Sequence, residues 1–134
     1  MLVLRLFFVA AYVIMWAFDM EALNNGTEAY DKGDYEAAVE YYRAAAMCGV
    51  NFFALNKLGV CYEDGVGVEQ DYEKAVEYYR KSARWGYNWA EYNLACCYYN
   101  GCGVKKNRAK AKELYRSAAE KGNKNAKEKL VKLF

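Results

Sequence analysis

In residues 71–86, apolar side chains recur with the period of an α-helix and polar side chains occupy the positions between them. The apolar members fall three or four residues apart and so share one helix face: Tyr72, Ala75, Val76, Tyr79 and Ala83. Asp71 stands where a helix begins and Gly86 where one ends, as their residue types favour. This stretch therefore predicts an amphipathic helix that buries one face.

The same pattern recurs along the chain, which indicates a repeat architecture. Residues 100–119 repeat the pattern of residues 64–83 with an offset of 36, and residues 34–49 match residues 71–86 with an offset of 37. A second helical pattern precedes each copy, at about 52–64 and 88–100, where Leu58 and Tyr62 match Leu94 and Tyr98. The chain therefore divides into repeats of about 19–49, 50–86 and 87–122 with a capping helix at 123–134, all within a domain of residues 19–134.

Helix boundaries recur with the same period. Short oxygen side chains occupy the expected amino-terminal caps at Asp34, Asp71 and Asn107, and glycines occupy the expected carboxy-terminal ends at Gly49, Gly86 and Gly122. The small residues Ala38, Ala75 and Ala111 hold equivalent positions, where a larger side chain would push the paired helix away. Each unit is thus predicted to be a pair of closely packed helices.

The segment LGVCYEDGVGVEQDYEKAVEYYRKSA at 58–83 resembles the Sel-one-like (SLR) repeat family, and NGTEAYDKGDYEAAVEYYRAA at 25–45 is similar to the related tetratricopeptide repeat. The resemblance covers about residues 20–134. It implies an all-α fold, a right-handed α/α superhelical solenoid of antiparallel helix pairs. Ala95 stands where the family has Gly, Asn25 where it has Leu, and Arg108-Ala109 where it has an aromatic-acidic pair.

Gly65 and Gly67 raise the question of a phosphate-binding loop. A dinucleotide fingerprint needs a preceding strand and a third glycine, but a helical pattern precedes Gly65 and Gln70 holds the third position. No Gly-Lys-Ser/Thr follows either, which excludes the P-loop. Since the same glycines recur as Gly101 and Gly103, we interpret both pairs as turns between helices.

Residue types needed for catalysis are sparse. Histidine is absent, which removes the commonest general base near neutral pH and the commonest metal ligand. The cysteines lack the Cys-x-x-Cys spacing of a zinc site: Cys48, Cys61, Cys96, Cys97 and Cys102. We interpret them as free thiols in a reducing compartment, since they also depart from the disulfide pattern of some relatives. We expect no enzyme, no cofactor and no metal.

The resemblance implies a binding function for the first helix of each pair. In the families concerned, these helices line a concave inner face that holds a peptide or helix of a partner protein. Carried over by position, the inner face comprises Leu23, Thr27, Tyr30, Phe53, Asn56, Val60, Glu63, Trp89, Tyr92, Cys96 and Tyr99. Tyr and Trp suit binding hot spots, although such rings also complete the packing between helices.

Residues 1–18, MLVLRLFFVAAYVIMWAF, lie outside the repeats and form an apolar helix whose one charge is Arg5. Three interpretations stay open: a membrane anchor or uncleaved signal, a cap folded over the first repeat, and a true start at Met20. Because residues 17–22 contain no Gly, Asn or Pro, one continuous helix from Leu2 into the first repeat is compatible with the sequence. We therefore expect a membrane-associated or cytoplasmic protein rather than a secreted one.

Charge divides the chain in two. Residues 1–104 carry 8 basic and 14 acidic side chains, whereas residues 105–134 carry 11 basic and 3 acidic. A solvated terminal cap accounts for the basic end, and an acidic partner or the acidic end of another copy is the alternative. The lysines lack interleaved aromatic residues, so no nucleic acid is expected. The leading hypothesis is a non-catalytic adaptor that binds another protein; the alternative is a self-associating structural module.

Overall fold

The computed structural model describes residues 1–47 and 51–134, and over these residues it contains seven α-helices and no strand. The helices are α1 (Leu2–Asp31), α2 (Tyr35–Met47), α3 (Phe52–Asp64), α4 (Tyr72–Ala83), α5 (Asn88–Asn100), α6 (Arg108–Glu120) and α7 (Lys124–Leu133). They pack as the pairs α1–α2, α3–α4 and α5–α6, and each pair contacts the next helix along the chain. The predicted all-α solenoid of helix pairs is confirmed.

The helices begin at the predicted caps. The side chain of Asp71 accepts a hydrogen bond from the Lys74 backbone N–H at 3.0 Å, and Asn107 accepts from Lys110 at 2.9 Å. Gly86 and Gly122 have positive φ angles of 77° and 94°, so they turn the chain after α4 and α6 as predicted. In the first unit the side chain of Asp34 accepts from the Ala37 N–H at 3.2 Å, whereas Gly49 lies outside the described residues.

Three buried tyrosines of the second helices form the centre of the core. Tyr42, Tyr79 and Tyr115 are enclosed in successive clusters that run along the stack. The equivalent alanines Ala38, Ala75 and Ala111 are fully buried beside them. Large rings thus fill the space between paired helices, while alanines allow the backbones to approach.

The Gly-x-Gly segments are turns, as predicted. Gly65 and Gly67 have φ angles of 66° and 70°, and their counterparts Gly101 and Gly103 have 73° and 69°. The second glycine of each pair also lies against the preceding unit: a Cβ on Gly67 would meet the Tyr35 carbonyl oxygen at 2.3 Å. The loop therefore requires glycine both for its backbone angles and for the contact between units.

The first helix is one unbroken element that extends well beyond its repeat. Side chains of residues 1–18 are exposed, apart from a half-buried Ala11, instead of covering the end of the first unit. Within the described part of the chain, α1 is the one helix whose length and composition would allow it to cross a membrane. Its second half, from Ala22 onwards, packs against α2.

Candidate functional site

The first helices of neighbouring units meet through polar and cationic contacts. The Asn93 side-chain amide on α5 donates a hydrogen bond to the Asn56 side-chain oxygen on α3, at 3.1 Å. The Lys57 Nζ lies 5.6 Å from the ring centroid of Tyr30 on α1 and 5.5 Å from that of Phe53. Parts of the predicted inner face from different units are therefore brought together.

In the first unit, the predicted residues lie partly inside the structure. Leu23 and Tyr30 are half-buried against the first core cluster. The Thr27 hydroxyl donates to the Leu23 carbonyl at 3.0 Å, so its hydrogen bond is used within α1. Tyr30 packs edge-on against Tyr35 with ring centroids 5.1 Å apart, and burial raises the pKa of its phenol. The part of Tyr30 that a partner can contact is therefore mainly the ring face next to Lys57.

In the second unit, Phe53 provides an aromatic surface, whereas Val60 and Glu63 contact the core. The ring of Phe53 lies 5.9 Å from that of Tyr87, across the boundary with the third unit. Val60 is half-buried against the second core cluster. The Glu63 carboxylate accepts a hydrogen bond from the Tyr79 hydroxyl at 2.5 Å; burial and this bond raise the pKa of Tyr79. Glu63 therefore supports the core as well as bordering the face.

Aromatic rings continue through the third unit. Trp89 packs edge-on against Tyr92 with centroids 5.9 Å apart, and Tyr92 lies 5.8 Å from Tyr115. The Tyr115 hydroxyl donates to the Cys96 sulfur at 3.2 Å. Trp89 remains 42% exposed, whereas Tyr92 and Cys96 are half-buried. The exposed indole is consequently the most accessible large ring of the predicted set.

Tyr99 closes this series at the last turns of α5. Its ring packs edge-on against Phe134 with centroids 6.0 Å apart. The Arg108 guanidinium lies 4.7 Å from the Tyr99 centroid and donates a hydrogen bond to its hydroxyl. The carboxy-terminal helix therefore partly covers the end of the predicted face.

Three thiols, those of Cys61, Cys96 and Cys97, are poor nucleophiles. Burial raises the pKa of Cys61 to about 11 and, with the Glu63 charge as a smaller cause, that of Cys97 to about 12. Burial also raises the pKa of Cys96, so all three are protonated near neutral pH. The described residues contain no group of three or more His, Cys, Asp or Glu side chains placed to hold a metal ion.

Sequence reasoning missed two residues of this region. Lys57 and Asn93 hold equivalent positions in successive units, each one residue beyond a predicted position. Their shared register follows from the repeat, but the two side chains differ in type, so the repeat pattern does not mark them as functional. Only their contacts with Tyr30, Phe53 and Asn56 show that they lie beside the predicted residues.

Comparison with protein families identifies three successive repeats. The model of the Sel1 repeat matches residues 15–50, 53–87 and 90–123, which together make up most of the chain. A comparison with functionally curated proteins gave no match.

Solved structures of similar fold come from bacterial repeat proteins. A protective antigen of uropathogenic Escherichia coli strains with an SLR fold is 36% identical over 84% of this chain, with a TM-score of 0.75. A Sel1 repeat protein from Oxalobacter formigenes is 34% identical over 81% of this chain, with a TM-score of 0.74. This chain spans 25% and 44% of those two chains, respectively.

Cysteine-rich protein B of Helicobacter pylori shares the fold at 22% identity, with a TM-score of 0.64, over 82% of this chain and 92% of its own. Sel1 repeats are generally protein–protein interaction modules without catalytic activity. With three matched repeats and neighbours of the same architecture, the chain belongs to the Sel1 repeat family.

Proposed function

We propose that this protein is a non-catalytic adaptor that binds a peptide or helical segment of a partner protein. The binding surface is the inner face formed by the second half of α1 together with α3 and α5. The observation that carries the proposal is the series of incompletely buried rings on three successive first helices: Tyr30, Phe53, Trp89, Tyr92 and Tyr99.

Such rings provide binding energy at small entropic cost. Trp and Tyr have few rotatable bonds and large apolar areas, and edge-on pairs such as Trp89–Tyr92 limit their motion further. A series that crosses several helices suits an extended or helical segment, because a solenoid places equivalent side chains at regular intervals. Flanking polar groups from Lys57 and Asn93 can then set the orientation of the bound segment.

A peptide selection tests the proposal. The full chain, kept in a mild non-ionic detergent, is used to select binders from a displayed library of helical peptides. We expect Trp89→Ala and Tyr92→Ala each to reduce the affinity for the selected peptides by at least about tenfold, the loss typical of a hot-spot residue. Affinity is measured by fluorescence anisotropy with synthetic peptides.

Tyr41→Ala is the matched control, because Tyr41 is a similarly exposed aromatic on the second helix of its pair, α2. It should leave peptide affinity unchanged. Equal losses for Tyr41→Ala and Trp89→Ala would contradict the proposal. A fall in thermal stability of Trp89→Ala as large as its fall in binding would assign Trp89 to the core instead.

Self-association is the second candidate function, and the opposite charges of residues 1–104 and 105–134 favour it. Attraction between an acidic and a basic end weakens as salt screens it. Light scattering should then report a mass that falls with rising ionic strength. A constant monomer mass across salt concentrations would exclude assembly through the charged ends.

A further inference from the structure

One edge of the stack consists of the turns that connect each second helix to the first helix of the next unit, together with the helix ends beside them. We call it the loop edge and define it by its described residues: Met47, 51–52, 84–88 and 121–124. A groove of about 440 Å³ joins it to α1, since Tyr12, Met15 and Trp16 line this groove together with Phe52 and Phe53. The apolar half of α1 therefore leaves the repeats from the loop edge.

Contacts between units continue the loop edge along the stack. The rings of Phe52 and Tyr87 lie 5.3 Å apart, which joins the second unit to the third. The Asn123 side-chain amide donates to the Asn88 side-chain oxygen at 3.3 Å, which joins the third unit to α7. The loop edge is thus one continuous surface that begins at α1.

The length and composition of the apolar half of α1 suit a lipid environment. Large apolar side chains from Leu2 to Phe18 are exposed on all sides, whereas a helix that binds one protein usually presents a single stripe. These 17 residues would span about 26 Å, close to the roughly 30 Å of a bilayer interior. Arg5 stands near the start, where its long side chain can reach the headgroups.

The loop edge itself has the composition of a membrane interface. Trp85 is 57% exposed and Met47 84% exposed, and Phe52 is also exposed. Lys81 and Arg84 line a groove with Trp85. Indole rings and long basic side chains are favoured where hydrocarbon meets headgroups, because each combines an apolar body with a polar tip.

The opposite edge has the opposite charge over the first two units. It carries the carboxylates at the ends of α1 and α3 and before α2 and α4: Asp31, Asp34, Asp64, Glu69 and Asp71. An anionic surface would repel these groups and attract the basic side chains near Trp85. Over the first two units the charge distribution therefore favours the loop edge as the side that faces a membrane, whereas in the third unit the exposed Lys105 and Lys106 lie on the opposite edge.

We propose that the loop edge is a membrane-contacting surface: α1 enters an anionic bilayer, and the edge rests on its headgroups with Trp85 at the interface. Because α1 is continuous with the first repeat, the membrane segment and the repeat domain form one rigid arrangement. The helices of the stack then stand upright on the bilayer, and the inner face stays accessible from the side. This inference is independent of what the inner face binds.

Depth-dependent quenching of tryptophan fluorescence tests the proposal. The full chain is reconstituted into phosphatidylcholine vesicles that contain a minority of phosphatidylglycerol and are prepared with or without brominated acyl chains. Trp16→Phe/Trp89→Phe retains Trp85 alone, and Trp85→Phe/Trp89→Phe retains Trp16 alone. We expect strong quenching of Trp16 and clear, weaker quenching of Trp85.

The matched control places the single indole on the opposite edge. Tyr72→Trp in a background of Trp16→Phe, Trp85→Phe and Trp89→Phe uses a position that is 40% exposed at the start of α4. This variant should show no quenching. Arg84→Glu should reduce quenching of Trp85 and leave that of Trp16 unchanged, because it replaces an attractive charge at the edge only.

Three outcomes would overturn the proposal. Equal quenching of Trp85 and of the Tyr72→Trp control would mean that the domain has no fixed orientation on the lipid. Quenching of Trp16 alone would place α1 in the bilayer with the loop edge away from it. Absence of quenching at both Trp16 and Trp85, with Trp85 emission that depends on protein concentration, would assign the surface to a second copy of the chain.

Discussion

The ring of Tyr79 lies so close to Gly59 that a Cβ atom on this glycine would be 2.4 Å from Cε1 of the tyrosine. Tyr79 is fully buried, and its hydroxyl is held by Glu63. The first unit has the same relationship, since a Cβ on Gly26 would lie 2.8 Å from the Tyr42 ring. In the first two units, the paired helices can therefore enclose a tyrosine because the facing residue has no side chain.

We expect Gly59→Ala to destabilise the fold. Alanine is favoured over glycine in a helix by about 1 kcal/mol, but overpacking against an immobile ring costs about 1–3 kcal/mol. Urea unfolding followed by circular dichroism measures the net loss. Ala95→Gly is the control, because Ala95 holds the equivalent position in the third unit and lies in the same core cluster as Tyr115; it should lose only about 1 kcal/mol. A more stable Gly59→Ala variant would show that the ring moves aside.

The two kinds of turn glycine should respond differently to alanine. Gly33 and Gly67 both have positive φ angles, of 81° and 70°, but a Cβ on Gly33 would have no atom within 4 Å. Gly33→Ala should therefore cost only the backbone strain of about 1–2 kcal/mol. Gly67→Ala should cost about 1–3 kcal/mol more, since its Cβ would collide with the Tyr35 carbonyl. Equal unfolding free energies of the two variants would refute the proposed contact between units.

Removal of Lys121 should destabilise the third unit. Glu91 is 7% exposed, and one of its oxygens accepts from the Lys121 ammonium at 2.5 Å and from the Ser117 hydroxyl at 3.1 Å. Lys121→Met leaves a buried carboxylate without its cation, which costs about 1–3 kcal/mol. Because Lys121 is partly exposed, we expect the lower part of this range.

The control for Lys121→Met is Lys81→Met, since Lys81 pairs with Glu77 and both side chains are exposed. This surface pair should contribute less than about 1 kcal/mol. Thermal melts of the two variants at low and high salt provide the comparison. Losses of the same size would mean that burial of Glu91 adds nothing to the strength of its ion pair.

Stability should fall at alkaline pH. The pKa of Cys97 is raised from about 9 to about 12 in the folded state, so above pH 9 the unfolded chain loses a proton that the folded chain keeps. The free energy of unfolding then decreases by up to about 1.4 kcal/mol per pH unit from this group. Urea midpoints between pH 8 and 10 measure the slope.

Cys97→Ala should flatten this dependence. The readout is the slope, because Cys97→Ala also creates a small cavity that lowers stability at every pH. An unchanged slope in Cys97→Ala would show that other groups cause the alkaline loss, such as the thiol of Cys61, whose pKa is also raised.

Much of the fold follows from local features of the sequence. Asp71 and Asn107 predict the starts of α4 and α6, since a cap depends on backbone N–H groups only a few residues away. The recurrence of Gly65 and Gly67 as Gly101 and Gly103 predicts the turns for the same reason. Such signals involve short stretches of chain and can be recognised without knowing how distant parts meet.

The candidate site was less accessible to prediction. The family resemblance placed Asn56 on the inner face, but Asn56 is buried and accepts a hydrogen bond from Asn93, 37 residues further along the chain. The resemblance did not indicate Lys57, whose contacts are with rings on two different helices. Whether an individual side chain is accessible depends on its neighbours across the stack, which a repeat pattern does not specify.

The sequence by itself determined the helices, their boundaries and their order in the stack, because the hydrogen bonds and apolar spacing that produce them are local. Only the tertiary structure decided that α1 runs unbroken beyond the first repeat and that its apolar half shares an edge with Trp85. The physical reason is that the direction of one helix relative to side chains some 70 residues away is set by packing between units.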